Sequence, residues 1–270
     1  MKKFSVTLLT LGALTMAANT TTNIGCSSGG SSGSSGTAGT SGGEALVPNA
    51  DGFFDGQNAA GIMGAWYSYG DWYNPVAGSG DCAVMGGFAA ADCSNITTPV
   101  PGQPFTNSGG TMCTSGTVAK VVPMAGSTTP AYSAIWGAGI GFDLNNAGND
   151  GGTGKNAWSA TEHGVTGFSF HIDMPPVGGQ MRVEFPTNAA LGTTDINAAY
   201  WGGSGANLSP INTGGDYMFT FDQVGGPNYL TSPMPFDKTK ILSMQFHVVA
   251  GTSSTIPFNY CISNLKALHD

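Results

Sequence analysis

The sequence predicts an all-β protein: a two-sheet antiparallel β-sandwich, built as a jelly roll. Three observations carry this. Short runs of alternating apolar and polar residues recur along the chain, separated by Gly and Pro clusters. No 11-residue window holds an i, i+3, i+4, i+7 apolar pattern free of Gly and Pro, so helix signals are nearly absent. The composition fits a turn-rich extracellular β protein, with 43 glycines in 270 residues and only 9% charged residues. Aromatics make up 10% and sit inside the alternating runs, which argues against disorder.

The first segment, residues 1–25, reads as a lipoprotein signal peptide. Lys2 and Lys3 precede an uncharged, largely apolar run from Phe4 to Ala18, and Asn23-Ile24-Gly25 lead to Cys26. The run is about 15 residues, shorter than the ~20 a spanning helix needs. Cleavage before Cys26 would leave that cysteine to be lipidated and move the formal charge from −8 to −10. Cleavage after Ala17 or Ala18 would instead release a soluble secreted protein. Residues 26–44 are almost entirely Ser, Gly, Thr and Ala, a flexible tether. As a random coil it reaches roughly 20–25 Å. Residues 45–270 form one β-sandwich domain with no second linker and no internal repeat.

Within that domain eight strands are predicted: Ala65–Tyr69, Thr117–Val122, Ile135–Leu144, Val165–Asp173, Met181–Phe185, Tyr217–Asp222, Leu242–Val249 and Phe258–Leu265. Period-2 alternation sorts their faces. Phe168, Phe170 and Ile172 oppose Ser169, His171 and Asp173; Met181, Val183 and Phe185 oppose Arg182 and Glu184. Leu242, Met244, Phe246 and Val248 oppose Ser243, Gln245 and His247; Phe258, Tyr260 and Ile262 oppose Asn259 and Cys261. The apolar sets face the core. If these strands lie in one sheet, His171, Asp173, Arg182, Glu184, Gln245, His247 and Asn259 share its outer surface. Amides, imidazoles, a carboxylate and the chain's single arginine suit sugar hydroxyls. The plain alternative is a solvated sheet face on which Arg182 and Glu184 simply pair. Gly137, Gly139 and Gly141 share one face of their strand, which implies close approach of another backbone, by tight sheet packing, or of a ligand.

A second candidate cluster is Trp66, Tyr67, Tyr69, Asp71, Trp72 and Tyr73, since aromatic faces stack on apolar sugar faces. Alternation sends half of the strand aromatics into the core, while Asp71, Trp72 and Tyr73 fall in a loop. Tyr200 and Trp201 are a weaker echo. The residues expected to bind ligand are Trp66, Tyr69, Asp71, Trp72, Tyr73, His171, Arg182, Glu184, Gln245 and His247.

With Cys26 set aside, Cys82, Cys93, Cys113 and Cys261 leave two disulfides and three connectivities. Cys82–Cys93, bracketing one loop, and Cys113–Cys261, tying an early strand to the last, is the favoured pairing. Zinc is disfavoured, with no CxxC and no His near any cysteine. An acidic chain with one arginine does not fit nucleic acid. HExxH and GxSxG are absent. Gly137-Ala138-Gly139-Ile140-Gly141 lacks dinucleotide-site spacing. Asp143, Asn145 and Gly148 imitate an EF-hand start, but Ala147 and Gly154 occupy ligand positions. No cofactor is expected, and a structural calcium elsewhere in the loops stays open.

Several segments resemble a group of exported soil-bacterial lipoproteins. They are Gly64-Ala65-Trp66-Tyr67-Ser68-Tyr69-Gly70-Asp71, Met112-Cys113-Thr114-Ser115-Gly116-Thr117, Gly137 through Asn146, Gly164-Val165-Thr166-Gly167-Phe168, Arg182-Val183-Glu184-Phe185-Pro186 and Leu242-Ser243-Met244-Gln245-Phe246. The resemblance covers most of residues 60 to 268. The group's pattern is similar to the galactose-binding-like jelly roll of many carbohydrate-binding modules. It implies neighbouring terminal strands, which suits Cys113–Cys261, and sugar binding by analogy of fold alone. It supplies no binding motif. The expectation is a surface-tethered, non-catalytic carbohydrate-binding module that meets a glycan outside the membrane and the lipid bilayer through Cys26, at the outer membrane or cell surface. The alternatives are a polysaccharide-acting enzyme using a carboxylate or His on a sheet face, and a structural or adhesive envelope protein.

Overall fold

The computed structural model describes residues 43–72, 82–100, 103, 105, 109–148, 155–187, 204–208, 213–226 and 235–270, which fall in the unit Gly39–Asp270. The signal peptide, Cys26, almost all of the tether, Tyr73, Tyr200 and Trp201 lie outside the described residues. The strands are β1 Glu44–Ala45, β2 Phe53–Asp55, β3 Met63–Gly70, β4 Asn95–Thr98, β5 Met112–Val118, β6 Gly137–Asp143, β7 Val165–Asp173, β8 Gln180–Glu184, β9 Gly205–Asn207, β10 Gly215–Thr220, β11 Ser243–Val249 and β12 Ile256–His269. One α-helical turn, Cys82–Gly86, lies between β3 and β4.

The strands make two antiparallel six-stranded sheets, the predicted sandwich. The first runs β10-β7-β12-β5-β4, with β1 also on β12; the second runs β2-β3-β6-β11-β8-β9. Alternation sends Phe168, Phe170, Ile172, Phe258, Tyr260 and Ile262 inward from the first sheet. Trp66, Ile140, Phe142, Met244, Phe246 and Val183 come inward from the second. The layers meet edge-on where Phe170 lies 4.9 Å from Phe246. Tyr260, fully buried, donates its hydroxyl to the Phe246 carbonyl at 2.9 Å, so its one polar atom is satisfied inside the core. Each fully buried phenylalanine is worth about 2–3 kcal/mol of apolar burial.

Several strand boundaries move. The strand expected over Thr117–Val122 is β5, Met112–Val118, because the chain then leaves the ladder: Ala119 N–H donates to Ser94 Oγ and Val121 N–H to Gly251 O. The run expected through Asp222 stops at Thr220, where Phe221–Gln223 turn as a 3-10 helix capped by Thr220 and Gln223. The last strand is longer than expected. A register shift between Ser263 and Lys266, with Asn264 at φ +51°, inserts a bulge and lets Leu265 and Ala267 face inward again. β1, β2, β4 and β9 are two to four residues each and left no alternation to read.

The disulfides are Cys82–Cys93 and Cys113–Cys261. Cys113 and Cys261 stand directly opposite each other on β5 and β12.

Candidate functional site

The single polar face expected from alternation is corrected by the pairing. His171 and Asp173 on β7, and Asn259 on β12, belong to the first sheet. Arg182 and Glu184 on β8, and Gln245 and His247 on β11, belong to the second. Alternation distinguishes inside from outside, but both sheets have an outside. The expected face therefore splits between opposite surfaces.

On the first sheet, the His171 imidazole sits between two carboxylates, with Nδ1 2.7 Å from Asp216 Oδ1 and Nε2 3.1 Å from Asp173 Oδ1. The hydrogen bond to Asp216 holds its pKa above the ordinary value, and Asp173 adds to this. Both carboxylates are exposed.

On the second sheet, the register aligns two rows across four strands. Tyr69, Gly139, His247 and Arg182 form one; Tyr67, Gly141, Gln245 and Glu184 form the next. The glycines of β6 lie in the middle of each row and leave a trough between the β3 tyrosines and the polar side chains of β11 and β8. The close backbone approach expected from these glycines is present. A Cβ on Gly139 would overlap the Phe246 carbonyl oxygen, and one on Gly137 would lie 2.5 Å from His247 Nε2. Gly137 also holds φ +135°, which side chains rarely adopt.

Aromatic rings line one wall of the trough. Trp136, just before β6, stacks on Tyr69 with centroids 6.0 Å apart and planes 19° apart. Tyr67 meets Tyr69 edge-on at 6.0 Å, and Trp136 meets His247 edge-on at 5.5 Å. At the Tyr67 end, Lys155 Nζ lies 4.4 Å over the ring and 2.7 Å from Asp143 Oδ1. Gln245 Nε2 donates to Tyr67 Oη at 3.0 Å.

The opposite wall is charged and balanced. Glu184 Oε1 lies 3.1 Å from His247 Nδ1 and 3.4 Å from Arg182 Nε. The Arg182 and Glu184 side chains are only 13% and 15% exposed, so this is no ordinary solvated sheet face. Burial alone would raise the Glu184 carboxyl. The charge and hydrogen bond of His247, with Arg182, outweigh it and hold the group below the usual range. Burial pushes the Tyr67 and Tyr69 phenols up, and the Glu184 carboxylate adds to the effect at Tyr69.

The structure thus brings Tyr69, Arg182, Glu184, Gln245 and His247 together and leaves His171 on the far side. Trp66 points inward, 6% exposed, stacked on Phe246 at 6.0 Å with the planes 8° apart, because its neighbours Tyr67 and Tyr69 on the odd positions take the outer face. Trp72 folds back against Gly70, where a Cβ would overlap its ring, and packs partly buried on the core. Asp71 is wholly buried rather than in an open loop. Its carboxylate accepts from Ser94 N (2.8 Å), Ser94 Oγ (2.7 Å), Trp136 N (3.2 Å) and Gly137 N (3.0 Å). It therefore clips the head of the trough to the start of β4. Burial still pushes this carboxyl up despite the four bonds.

Tyr67, Trp136, Asp143 and Lys155 complete the trough but were absent from the residues expected to bind. Trp136 had a usable signal, an aromatic immediately before a strand of alternating glycines. Lys155 had none, standing in an irregular stretch far from its partners in sequence. Among the described residues, no three His, Cys, Asp or Glu side chains form a metal-ligating group, and no helix is long and apolar enough to cross a membrane.

No family model matches the chain, and no curated protein matches it significantly. Among solved structures it is similar to the family 11 carbohydrate-binding module of the cellulosomal cellulase Lic26A-Cel5E of Clostridium thermocellum, at 12% identity and a TM-score of 0.38 over 76% of this chain and 88% of that one. It is also similar to the solution structure of CtCBM11, at 13% identity and 0.38 over 86% and 99%. A third likeness is to the Clostridium thermocellum family 11 module in complex with a β-1,3-1,4-mixed-linked tetrasaccharide, at 14% identity and 0.35 over 76% and 88%. At this level no residue of this chain takes a role from theirs.

Proposed function

We propose that this chain is a non-catalytic carbohydrate-binding module whose ligand lies in the trough on the outer face of the second sheet. The observation that carries the reading is the cross-strand order: tyrosine, glycine, then Gln or His, then Glu or Arg, repeated in two adjacent rows. Aromatic faces offer stacking, the glycines offer room, and the far wall offers hydrogen bonds of both polarities. Binding is favoured over hydrolysis by the carboxylates. A glycosidase needs one carboxyl raised to act as an acid. Glu184 is held low by His247 and Arg182, and Asp143 is paired with Lys155.

The same proposal places the module outside the cell, tethered by residues 26–44 to a lipidated Cys26. The two disulfides fit an exported protein. A Cys26→Ser chain is expected in the soluble fraction where the unchanged chain is in the membrane fraction. The binding reading is tested on a glycan array with the full chain. It predicts retention on at least one glycan class, weakened tenfold or more by Tyr67→Ala. An array silent for the unchanged chain contradicts it.

A further inference from the structure

Two polar atoms in the trough are buried without a hydrogen-bond partner among the described residues: Tyr69 Oη and His247 Nε2. Buried polar atoms are nearly always paired, and an unpaired one costs about 1–3 kcal/mol, so two in one place call for a reason. Their positions supply it. Tyr69 and His247 are aligned on either side of Gly139, which puts no side chain between them, and their ring centroids come within 6.0 Å. His247 Nε2 stands directly above Gly137, where any Cβ would crowd it. The His247 residue is only 7% exposed. The glycines keep open the space that both orphaned atoms border.

The other ring nitrogen sets the chemistry. His247 Nδ1 faces Glu184 Oε1 at 3.1 Å, and a carboxylate only accepts, so Nδ1 carries the proton. In the neutral ring Nε2 is then an acceptor. Tyr69 Oη, with no acceptor of its own, has a proton to give. An acceptor and a donor aimed into one small gap match a group that both donates and accepts.

We propose that Tyr69 Oη and His247 Nε2 form a hydroxyl-reading subsite of the trough, at which one ligand alcohol donates to His247 and accepts from Tyr69. The inference rests on the glycan-binding reading and adds the atoms that discriminate. A carboxylate or sulfate oxygen cannot donate to Nε2, so the subsite selects neutral hydroxyl-bearing units over anionic ones. Glu184 is the positioning residue: it fixes the tautomer and, with Arg182, the ring.

The test is affinity electrophoresis of the full chain in gels containing a mixed-linkage β-glucan, a xylan, a galactomannan, polygalacturonate or a sulfated galactan, alongside thermal melting. Tyr69→Phe removes one oxygen and keeps the ring; His247→Gln removes the imidazole and keeps an amide. The expected result is retention by a neutral polymer, weakened about tenfold by each variant, with melting temperatures unchanged or raised because an unsatisfied group has gone. Unchanged retention in both variants overturns the subsite while the glycan reading stands. Stronger retention of the unchanged chain by the anionic polymers than by the neutral ones also overturns it. No retention of the unchanged chain by any polymer overturns the glycan reading and the subsite with it.

Discussion

Asp71 is the residue on which the trough hangs. Its carboxylate takes hydrogen bonds from Trp136 N and Gly137 N, so it sets where the aromatic wall and the glycine strand begin. Asp71→Asn replaces one acceptor oxygen with an NH₂ that faces donors, and is expected to destabilise the fold by about 3 kcal/mol in urea denaturation. Glu184 makes the pH-dependent contribution. Its folded pKa lies below the ordinary value near 4.5, so its stabilisation is present above that value and lost as pH falls through the lower folded value. Urea midpoints of the unchanged chain and Glu184→Gln should differ by about 3 kcal/mol at neutral pH and converge as pH drops below 4.5. His171 has the opposite sign. Its raised pKa gives stabilisation present below the ordinary histidine value and lost as pH rises through the folded one. The effect is small because its partners are exposed. At this scale the sequence was partly legible. Tyr69, Arg182, Glu184, Gln245 and His247 were readable as polar or aromatic positions on strand faces. Asp71 was misplaced because nothing local to it reveals four donors from residues 23 to 66 positions away.

The strands themselves explain why the trough exists. β6 is buried along its whole length and bears glycine at each outward position from 137 to 141. Gly139→Ala forces a methyl group onto the Phe246 carbonyl, in the middle of the β6–β11 ladder. It is expected to cost about 3 kcal/mol or more, because backbone rather than a flexible side chain must yield. The longer elements were legible because alternation is local; Val165–Asp173 has the bounds its alternation predicts. Sheet membership was not. Which strand lies beside β7 or β11 depends on contacts across the chain, and His171 and His247, each in a run with the same alternating pattern, end on opposite surfaces. Bulges such as that at Asn264 escape the same logic, since one extra residue resets the period.

For the whole molecule, the Cys113–Cys261 bridge joins adjacent strands of the first sheet across 148 positions. On the chain-entropy account, replacing both cysteines with serine costs about 4–5 kcal/mol, and replacing Cys82 and Cys93 about 3 kcal/mol. Denaturation of the two double variants checks the order. The bridge lies in the first sheet, so a folded Cys113→Ser/Cys261→Ser chain keeps its second-sheet trough. The central claim is that function sits on the second sheet and not the first. Its most direct test is affinity electrophoresis of the full chain against the polysaccharide that it retains best, comparing Tyr67→Ala, Gln245→Ala and Arg182→Ala with His171→Ala. The account predicts at least tenfold weaker retention for each trough variant and unchanged retention for His171→Ala. Lost retention in His171→Ala with the trough variants unaffected would contradict it.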